Sequence, residues 1–530
     1  MQFQPQRFAL KALSVFLLLA APIVRSSDAP NIVLVISDDM GYSDIGSYGG
    51  EIDTPRLDGL ADEGLRLTNF YVNNMCWPTR ASLLTGLYPK SVLKDGSSTG
   101  GFRDDLTTLP QALKTAGYQT FMSGKWHLSD PAQPHGPSAP HKRGFDRSYA
   151  TYHGTTDFFA PADLNLNGED KEHEWRNRDD YYQTDAITDY AVRFIEERDT
   201  EKPFFLYLSY NAAHWPLHAK PEDIEAYQGR YSMGWDALRD TRYARMKELG
   251  IIPEDWELSP RHPDVPAWPD EPHKAWQERR MEVYAAQVTC MDRNIGRVID
   301  QLRASGDYDN TLFIYQHDNG GCHVEYPPTR TGSWTKPYTT DGKNRPVRPG
   351  NLPHIMPGDQ STWQSYGYGW ANASNTPFRL YKQHDHEGGT RSPFIMTWPD
   401  GIKRNLVGKL SREVCHVVDI MPTLLDLAGA DPIEQKPLPF EGRSFYPILK
   451  GKPKQVAERD ALFWQHSRGK AVRVGDWKLV SEDKNPWELY NLANDPTELN
   501  NLAKSMPEKV AALSRQHAAW NKRTDLSKKN

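Results

Sequence analysis

Four short stretches of the 530-residue chain end in side chains that bind metals or move protons. They are "SDDMG" with Asp38 and Asp39, "GKWH" with Lys125 and His127, "NAAHWPLH" with His214 and His218, and "HDNGG" with His317, Asp318 and Asn319. The side-chain oxygens of Asp38, Asp39, Asp318 and Asn319 suit a hard divalent cation, Ca²⁺ or Mg²⁺, rather than zinc or copper. Taken singly, each stretch reads as a solvated turn, because turns favour Asp, Asn and Gly. Together they read as one shared crevice. A further stretch, "NMCWPTRASLLTG", places Cys76 two residues before Pro78 and four before Arg80. Pro78 suits the first turn of a helix, so Cys76 lies near a helix N-terminus, where free N–H groups and the dipole favour an anion. It is either a buried structural thiol or the precursor of something more reactive.

Each of the four stretches follows a run that reads as a buried strand. These runs are "NIVLVIS" (31–37), "YQTFMS" (118–123), "PFFLYLSY" (203–210) and "TLFIYQ" (311–316). Helical periodicity fills the intervals in "TLPQALKTAGY", "TDAITDYAVRFIEER" and "RMEVYAAQVTCMDRNIGRVIDQLRASG". Strands alternating with helices imply an α/β fold, a large, mainly parallel sheet sandwiched by helices. Ligands of such sheets bind beyond the carboxyl ends of the strands, where the polar stretches fall. "ALFWQH", "KAVRVGDWKLV" and "PWELYNL" read as a smaller antiparallel sheet. "NDPTEL" is expected to start a helix, with Asp495 as N-cap, Pro496 in the first turn and Glu498 closing a capping box. The expected division is a signal peptide over 1–26, a catalytic domain over 27–454 and a C-terminal antiparallel-sheet subdomain over 455–530.

The formal charge of −6 is small and its signs are interspersed, so no nucleic-acid or membrane-surface footprint is present. Arg7 and Lys11 lead into "ALSVFLLLAAPIV", an export signal too short for a comfortable membrane span. Cleavage near Ser26 would release the chain to the periplasm or medium; the alternative is an uncleaved anchor. No later segment is apolar enough to span a bilayer, so no stable membrane insertion is expected. Cys76, Cys290, Cys322 and Cys415 show no zinc spacing, and a disulfide between two of the last three is left open. His384 and His386 in "KQHDHEGG" are read as a solvated or hydrogen-bonding loop pair, since the hard-cation set is complete without them. Arg391 is read as a packing residue.

"CWPTRASLLTG" resembles the signature of the type I, formylglycine-dependent sulfatases of the alkaline phosphatase superfamily, and the bacterial arylsulfatase branch in particular. The motifs "SDDMGYSDIGSYGG", C-x-P-x-R, "GKWH", "AAHWPLH", "HDNG" and "TPFRLYKQHDHEGGTRSPFIMTWP" run in that family's order over nearly the whole mature chain. "DWKLV" with "WELYNLANDPTELNNLA" is similar to its C-terminal subdomain. The resemblance implies an alkaline phosphatase-like fold and Cys76 oxidised to Cα-formylglycine by a formylglycine-generating enzyme. It assigns the cation, usually Ca²⁺, to Asp38, Asp39, Asp318 and Asn319, with residue 76 approaching it. Arg80, Lys125 and His127 would contact the formylglycine, and His214 and Lys382 the sulfate and its leaving oxygen. His317 stands where many relatives have Ser, either as a group that alters a pKa or contacts substrate, or as a supporting hydrogen-bond donor.

The implied activity is hydrolysis of a sulfate monoester, an aryl sulfate or a sulfated carbohydrate, to alcohol plus sulfate. The alternatives are a formylglycine-dependent phosphonate or phosphate ester hydrolase and a non-catalytic binder of sulfated glycans. Aromatic, Pro-rich loops over 149–174 and 322–370 are expected to form the pocket rim.

Overall fold

The computed structural model describes residues 29–524, apart from 94–100, 131, 177, 179, 333–334, 431–438 and 467. The expected export signal, 1–26, lies outside the described residues.

The apolar runs are strands, and the sheet they build is parallel at its centre. β1 (Asn31–Ser37), β2 (Gln119–Lys125), β3 (Arg147–Thr151), β4 (Phe204–Ser209), β5 (Thr311–His317) and the antiparallel β6 (Phe394–Thr397) lie in the order β6-β5-β1-β4-β2-β3. Short strands at both edges extend the sheet to ten strands. β1 is flanked on both sides by parallel partners and is buried along its whole length, which explains its unbroken Val, Ile and Leu run.

Alternate residues of β1 feed two cores. Val33 and Val35 pack with α3 (Gln183–Glu196) and α4 (Lys274–Ala304) through Ile187, Phe194, Val288 and Ile295. Ile32, Leu34 and Ile36 pack on the other face with α1 (Cys76–Thr85), α2 (Leu109–Thr115) and α5 (Ile420–Ala428) through Leu83, Leu113 and Leu424. Both faces are therefore covered, as a period-two strand with no polar side requires.

The C-terminal region holds a meander of β7 (Leu462–His466), β8 (Gly469–Val474), β9 (Trp477–Glu482) and β10 (Glu488–Asn491), backed by α6 (Pro507–Thr524). One face packs on Tyr71 through Trp464, Val480 and Tyr490. The other packs Val472, Leu479 and Leu489 against Leu513 of α6. Among the described residues no helix is long and apolar enough to cross a membrane.

Two sequence expectations are corrected or closed. "NDPTEL" is a turn rather than a helix start: both Asp495 carboxylate oxygens accept N–H groups, of Leu499 and Asn500, at 2.8 Å. Glu498 adopts φ 58° and turns its carboxylate inward, 3.0 Å from Lys478 Nζ and 2.8 Å from the Glu387 N–H. A buried ammonium outcompetes the capping box, and the helix begins only at Pro507. All four cysteines are free and buried, so no disulfide joins Cys290, Cys322 and Cys415.

Candidate active site

The strand ends are laced together before any side chain contributes. Asp38 N–H donates to the Ala212 carbonyl at 2.9 Å, and Asp318 N–H to the Ser37 carbonyl at 3.1 Å. These bonds hold the residues after β1, β4 and β5 side by side. Asp39 takes φ 60° and His127 φ 57°, left-handed turns that aim both side chains into the crevice instead of along the strands.

Opposite the strand ends, α1 begins with Cys76 itself, 2% exposed. Arg80, one turn on and fully buried, donates from Nη2 and Nε to Asp318 Oδ2 at 2.8 and 3.2 Å. Its Nη1 reaches the Lys125 carbonyl at 3.2 Å and the Ser209 hydroxyl. Lys125 Nζ is ion-paired with Asp38 Oδ2, and Lys382 Nζ with Asp39 Oδ1 at 2.5 Å. Asn319 Nδ2 also donates to Asp39 Oδ1, at 2.8 Å. The carboxylates of Asp38, Asp39 and Asp318 are thus matched by Arg80, Lys125 and Lys382.

What these cations leave over is a set of oxygens. Asp38 Oδ1, Asp39 Oδ2 and Asn319 Oδ1 are buried and make no hydrogen bond, although His214 Nε2 stands 3.3 Å from Asp39 Oδ2. Ligand atoms of Asp38, Cys76 and Asp318 lie within 4.8 Å of one another, as do those of Asp38, Asp39 and His214. Orphaned carboxylate and amide oxygens at one buried point fit a hard divalent cation. Burial, then the neighbouring Asp318, push Asp38 well above the usual carboxylate range, against Lys125 and Arg80. Against burial, Lys382, His214 and Lys125 draw Asp39 below it.

The crevice opens into a cavity of about 310 Å³ lined by Cys76, His127, His214 and Lys382. Burial lowers His127 well below the usual imidazole range, helped by Lys125, Arg80 and Lys382. Burial also lowers His214, while Asp39 opposes it. His214 Nδ1 contacts the Trp215 carbonyl at 2.6 Å; a carbonyl only accepts, so Nδ1 carries the hydrogen and Nε2 faces Asp39. Burial raises the Cys76 thiol, against Lys125 and Lys382.

All the sequence-derived site residues therefore gather at one place, with His153 also on the cavity wall, while His218 and His317 do not join them. His218 is buried between the Thr362 carbonyl, 2.7 Å from Nε2, and Asp157, and holds the rim. His317 is buried behind the centre, its Nδ1 3.1 Å from the Met40 carbonyl, and burial lowers it to about 4. Arg391 packs over the Tyr71 and Phe378 rings and donates to the Thr68 carbonyl. Sequence reasoning missed Ser209, whose hydroxyl also donates to the Lys125 carbonyl at 2.7 Å, and Arg330 at the cavity wall. A serine at the end of an apolar strand is the only signal that marks the former; nothing in "PPTRTG" marks the latter.

The sequence model of the Sulfatase family matches residues 30–430, and that of the N-sulphoglucosamine sulphohydrolase C-terminal region matches 378–522. The chain belongs to the sulfatase family. It is a sulfuric ester hydrolase with the fold of the alkaline phosphatase superfamily. An uncharacterized sulfatase of Schizosaccharomyces pombe is 35% identical over 500 residues, 86% of each chain. An arylsulfatase of Klebsiella aerogenes is 32% identical over 485 residues, covering 84% of this sulfatase and 97% of that one. The crystal structure of Ps i-CgsB in complex with k-i-k-neocarrahexaose superposes with a TM-score of 0.66 at 25% identity, over 93% of both chains.

Proposed function

We propose that this sulfatase is exported to the periplasm or medium and removes sulfate from sulfated carbohydrates or aryl sulfates. Cys76 is converted to formylglycine by a formylglycine-generating enzyme, and Ca²⁺, with Mg²⁺ as the alternative, is held by Asp38, Asp39, Asp318 and Asn319. The observation that carries this reading is the meeting of Cys76, three orphaned buried oxygens and an ionically balanced ring of cations at the floor of one cavity. The two bound groups would supply a hydroxyl nucleophile and charge neutralisation at the sulfate oxygens.

The chain's own residues do the rest. Arg80 and Lys125 are fixed by Asp318 and Asp38 and need no reorganisation as charge develops beside residue 76. Lys382 presents its ammonium at the cavity wall to an anionic ester. His214 has its Nδ1 hydrogen held by the Trp215 carbonyl, which leaves Nε2 facing the substrate; once Nε2 has taken up a proton, the imidazolium returns it to the departing alcohol. His127, held neutral, accepts a proton beside residue 76.

The rim supports a cyclic substrate. Arg330 stacks 4.9 Å from the Trp215 ring centroid and 5.5 Å from that of Tyr326. Aromatic faces beside a guanidinium suit a sugar or aryl ring that carries a negative group. The k-i-k-neocarrahexaose in complex with Ps i-CgsB and the arylsulfatase name of the Klebsiella relative agree with either choice.

The test is sulfate against phosphate release from matched aryl esters, using protein co-expressed with a formylglycine-generating enzyme. Sulfate release that disappears in Cys76→Ala, with a peptide mass showing conversion at residue 76, is the expected outcome. Dominant phosphate release would transfer the site to phosphate or phosphonate esters. An unconverted, inactive but glycan-binding protein would leave the binder reading.

A further inference from the structure

About the segment that carries Lys382, a second group of metal-ligating atoms lies outside the active site. His384 and His386 occupy alternate positions of an irregular stretch, and both turn their Nδ1 atoms onto one carboxylate oxygen, Glu482 Oε1. The His386 contact is 3.1 Å, and the three ligand atoms of His384, His386 and Glu482 lie within 4.8 Å of one another. His386 is buried, whereas His384 and Glu482 retain 22% side-chain exposure and leave a path to solvent.

The hydrogen-bond arithmetic requires positive charge at the convergence, which protons on the imidazoles or a metal ion can supply. His386 Nε2 is 3.1 Å from Glu488 Oε2, and an ionised carboxylate only accepts, so Nε2 carries a hydrogen. In the neutral ring Nδ1 is then a lone pair facing a carboxylate lone pair. The His384 Nδ1 meets the same oxygen. Either both positions hold protons, or one metal ion replaces them. A carboxylate behind the far nitrogen of a ligating histidine is the usual device that fixes its tautomer and raises its basicity. Glu488 is itself held, accepting from the Tyr490 hydroxyl at 2.5 Å.

We propose that His384, His386 and Glu482 form a second metal site, of the N₂O type that takes Zn²⁺, with water completing the coordination. Two imidazoles and one carboxylate select a borderline transition metal, in contrast to the oxygen set of the active site. A tetrahedral zinc with ligands at about 2.0–2.1 Å holds its donors about 3.3 Å apart, close to the His386–Glu482 separation, while the partly exposed His384 ring, in closer contact with the same oxygen, would swing outward to reach that spacing. The histidines belong to the segment that presents Lys382, and Glu482 ends β9 of the small sheet. The ion therefore clamps that sheet onto the segment behind the catalytic lysine.

The test titrates ZnCl₂ into the full-length protein after chelation and resaturation with Ca²⁺, followed by calorimetry and thermal unfolding. One saturable equivalent and a raised Tm are expected in the wild type and equally in Cys76→Ala, which separates this site from the catalytic thiol. His384→Ala and Glu482→Gln should weaken binding by about tenfold or more. Co²⁺ provides a readout that needs no variant: a tetrahedral N₂O site gives a visible d–d band that Zn²⁺ displaces. Absence of saturable binding and of the cobalt band, or equal binding in folded His384→Ala and Glu482→Gln, overturns the proposal. Because Cys76→Ala is catalytically dead on the proposed mechanism, loss of sulfatase activity leaves this outcome unaffected.

Discussion

Replacing Asn319 by Leu separates the oxygens proposed to bind the cation from the fold that presents them. Asn319 Oδ1 is buried without a partner, while Nδ2 donates to Asp39 Oδ1 and the Gly320 carbonyl, both at 2.8 Å. A buried polar atom left unpaired costs about 1–3 kcal/mol, and an ordinary hydrogen bond is worth about 0.5–1.5 kcal/mol. Leucine removes one orphan and two bonds, so in the metal-free protein gain and loss oppose each other and the net change is within about 1 kcal/mol. The cation changes this balance. At a hundred times its Kd, Ca²⁺ should stabilise the wild type by about 2.7 kcal/mol, a Tm rise of about 3 °C for a unit of this size. In Asn319→Leu the rise should fall to a small fraction of that at the same concentration.

The assay is thermal unfolding of chelated protein across a CaCl₂ series, for wild type, Asn319→Leu and Cys76→Ala. Wild type and Cys76→Ala should shift together, since the thiol is a poor ligand for a hard cation. An unshifted wild type would mean that the orphaned oxygens are not cation ligands. An Asn319→Leu protein that follows the wild-type curve would remove Asn319 from the set.

Gly154→Ala should lower kcat by about a hundredfold with Tm nearly unchanged, because its Cβ would meet His127 Nε2 at 2.3 Å and displace the imidazole; unchanged turnover would remove His127 from the chemistry. Lys478→Met should destabilise by about 3–5 kcal/mol in denaturant unfolding, since Nζ lies 2.7 Å from Glu387 and 3.0 Å from Glu498, all fully buried. Adding Glu498→Gln should return part of that loss, and strict additivity would contradict the pairing. Asp292, raised to about 7 chiefly by burial against the N–H groups of Arg56 and Leu57, makes the folded state hold its proton after the unfolded chain has lost it. Stability should therefore fall as pH rises from about 4 to about 7, and the Tm difference between Asp292→Asn and wild type should grow over that window and level above it. A difference that is flat with pH would refute the shift.

The parallel core was legible because burial on both faces leaves one signal, a short run rich in apolar and aromatic residues, at β1, β2, β4 and β5. The site was legible because strand ends of such a sheet face one crevice, so sequence-distant Asp38, Lys125, His214 and Asp318 needed only four strand assignments to meet. What stayed hidden depends on partners from remote segments. "NDPTEL" carries every local mark of a helix start, yet Glu498 is drawn inward by Lys478, twenty residues upstream on β9. His384 and His386 read as a solvated or hydrogen-bonding loop pair, but their partners, Glu482 and Glu488, lie about a hundred residues later. No local pattern encodes either event.

That dependence bears on how the sulfatase keeps its charges in register. Of the proposed catalytic cations Arg80, Lys125 and Lys382, only Lys382 is not presented by the end of a core strand or by α1. Its own N–H reaches the Gly321 carbonyl at 3.1 Å, and the following Gln383 N–H reaches the Asn74 carbonyl at 2.7 Å, next to Cys76. Behind it, the segment is fastened to the C-terminal sheet by Glu387 on Lys478, His386 on Glu488, and Arg379 on the Glu498 carbonyl at 3.0 Å. A lysine pairing Asp39, a proposed cation ligand, has to resist the pull of an anionic substrate, and a flexible side chain resists only as well as its backbone is held. The small sheet provides that restraint: it packs its apolar face on Tyr71, whose hydroxyl donates to Glu387 at 2.7 Å. The C-terminal region is thus part of the electrostatic apparatus without contributing a group to the cavity.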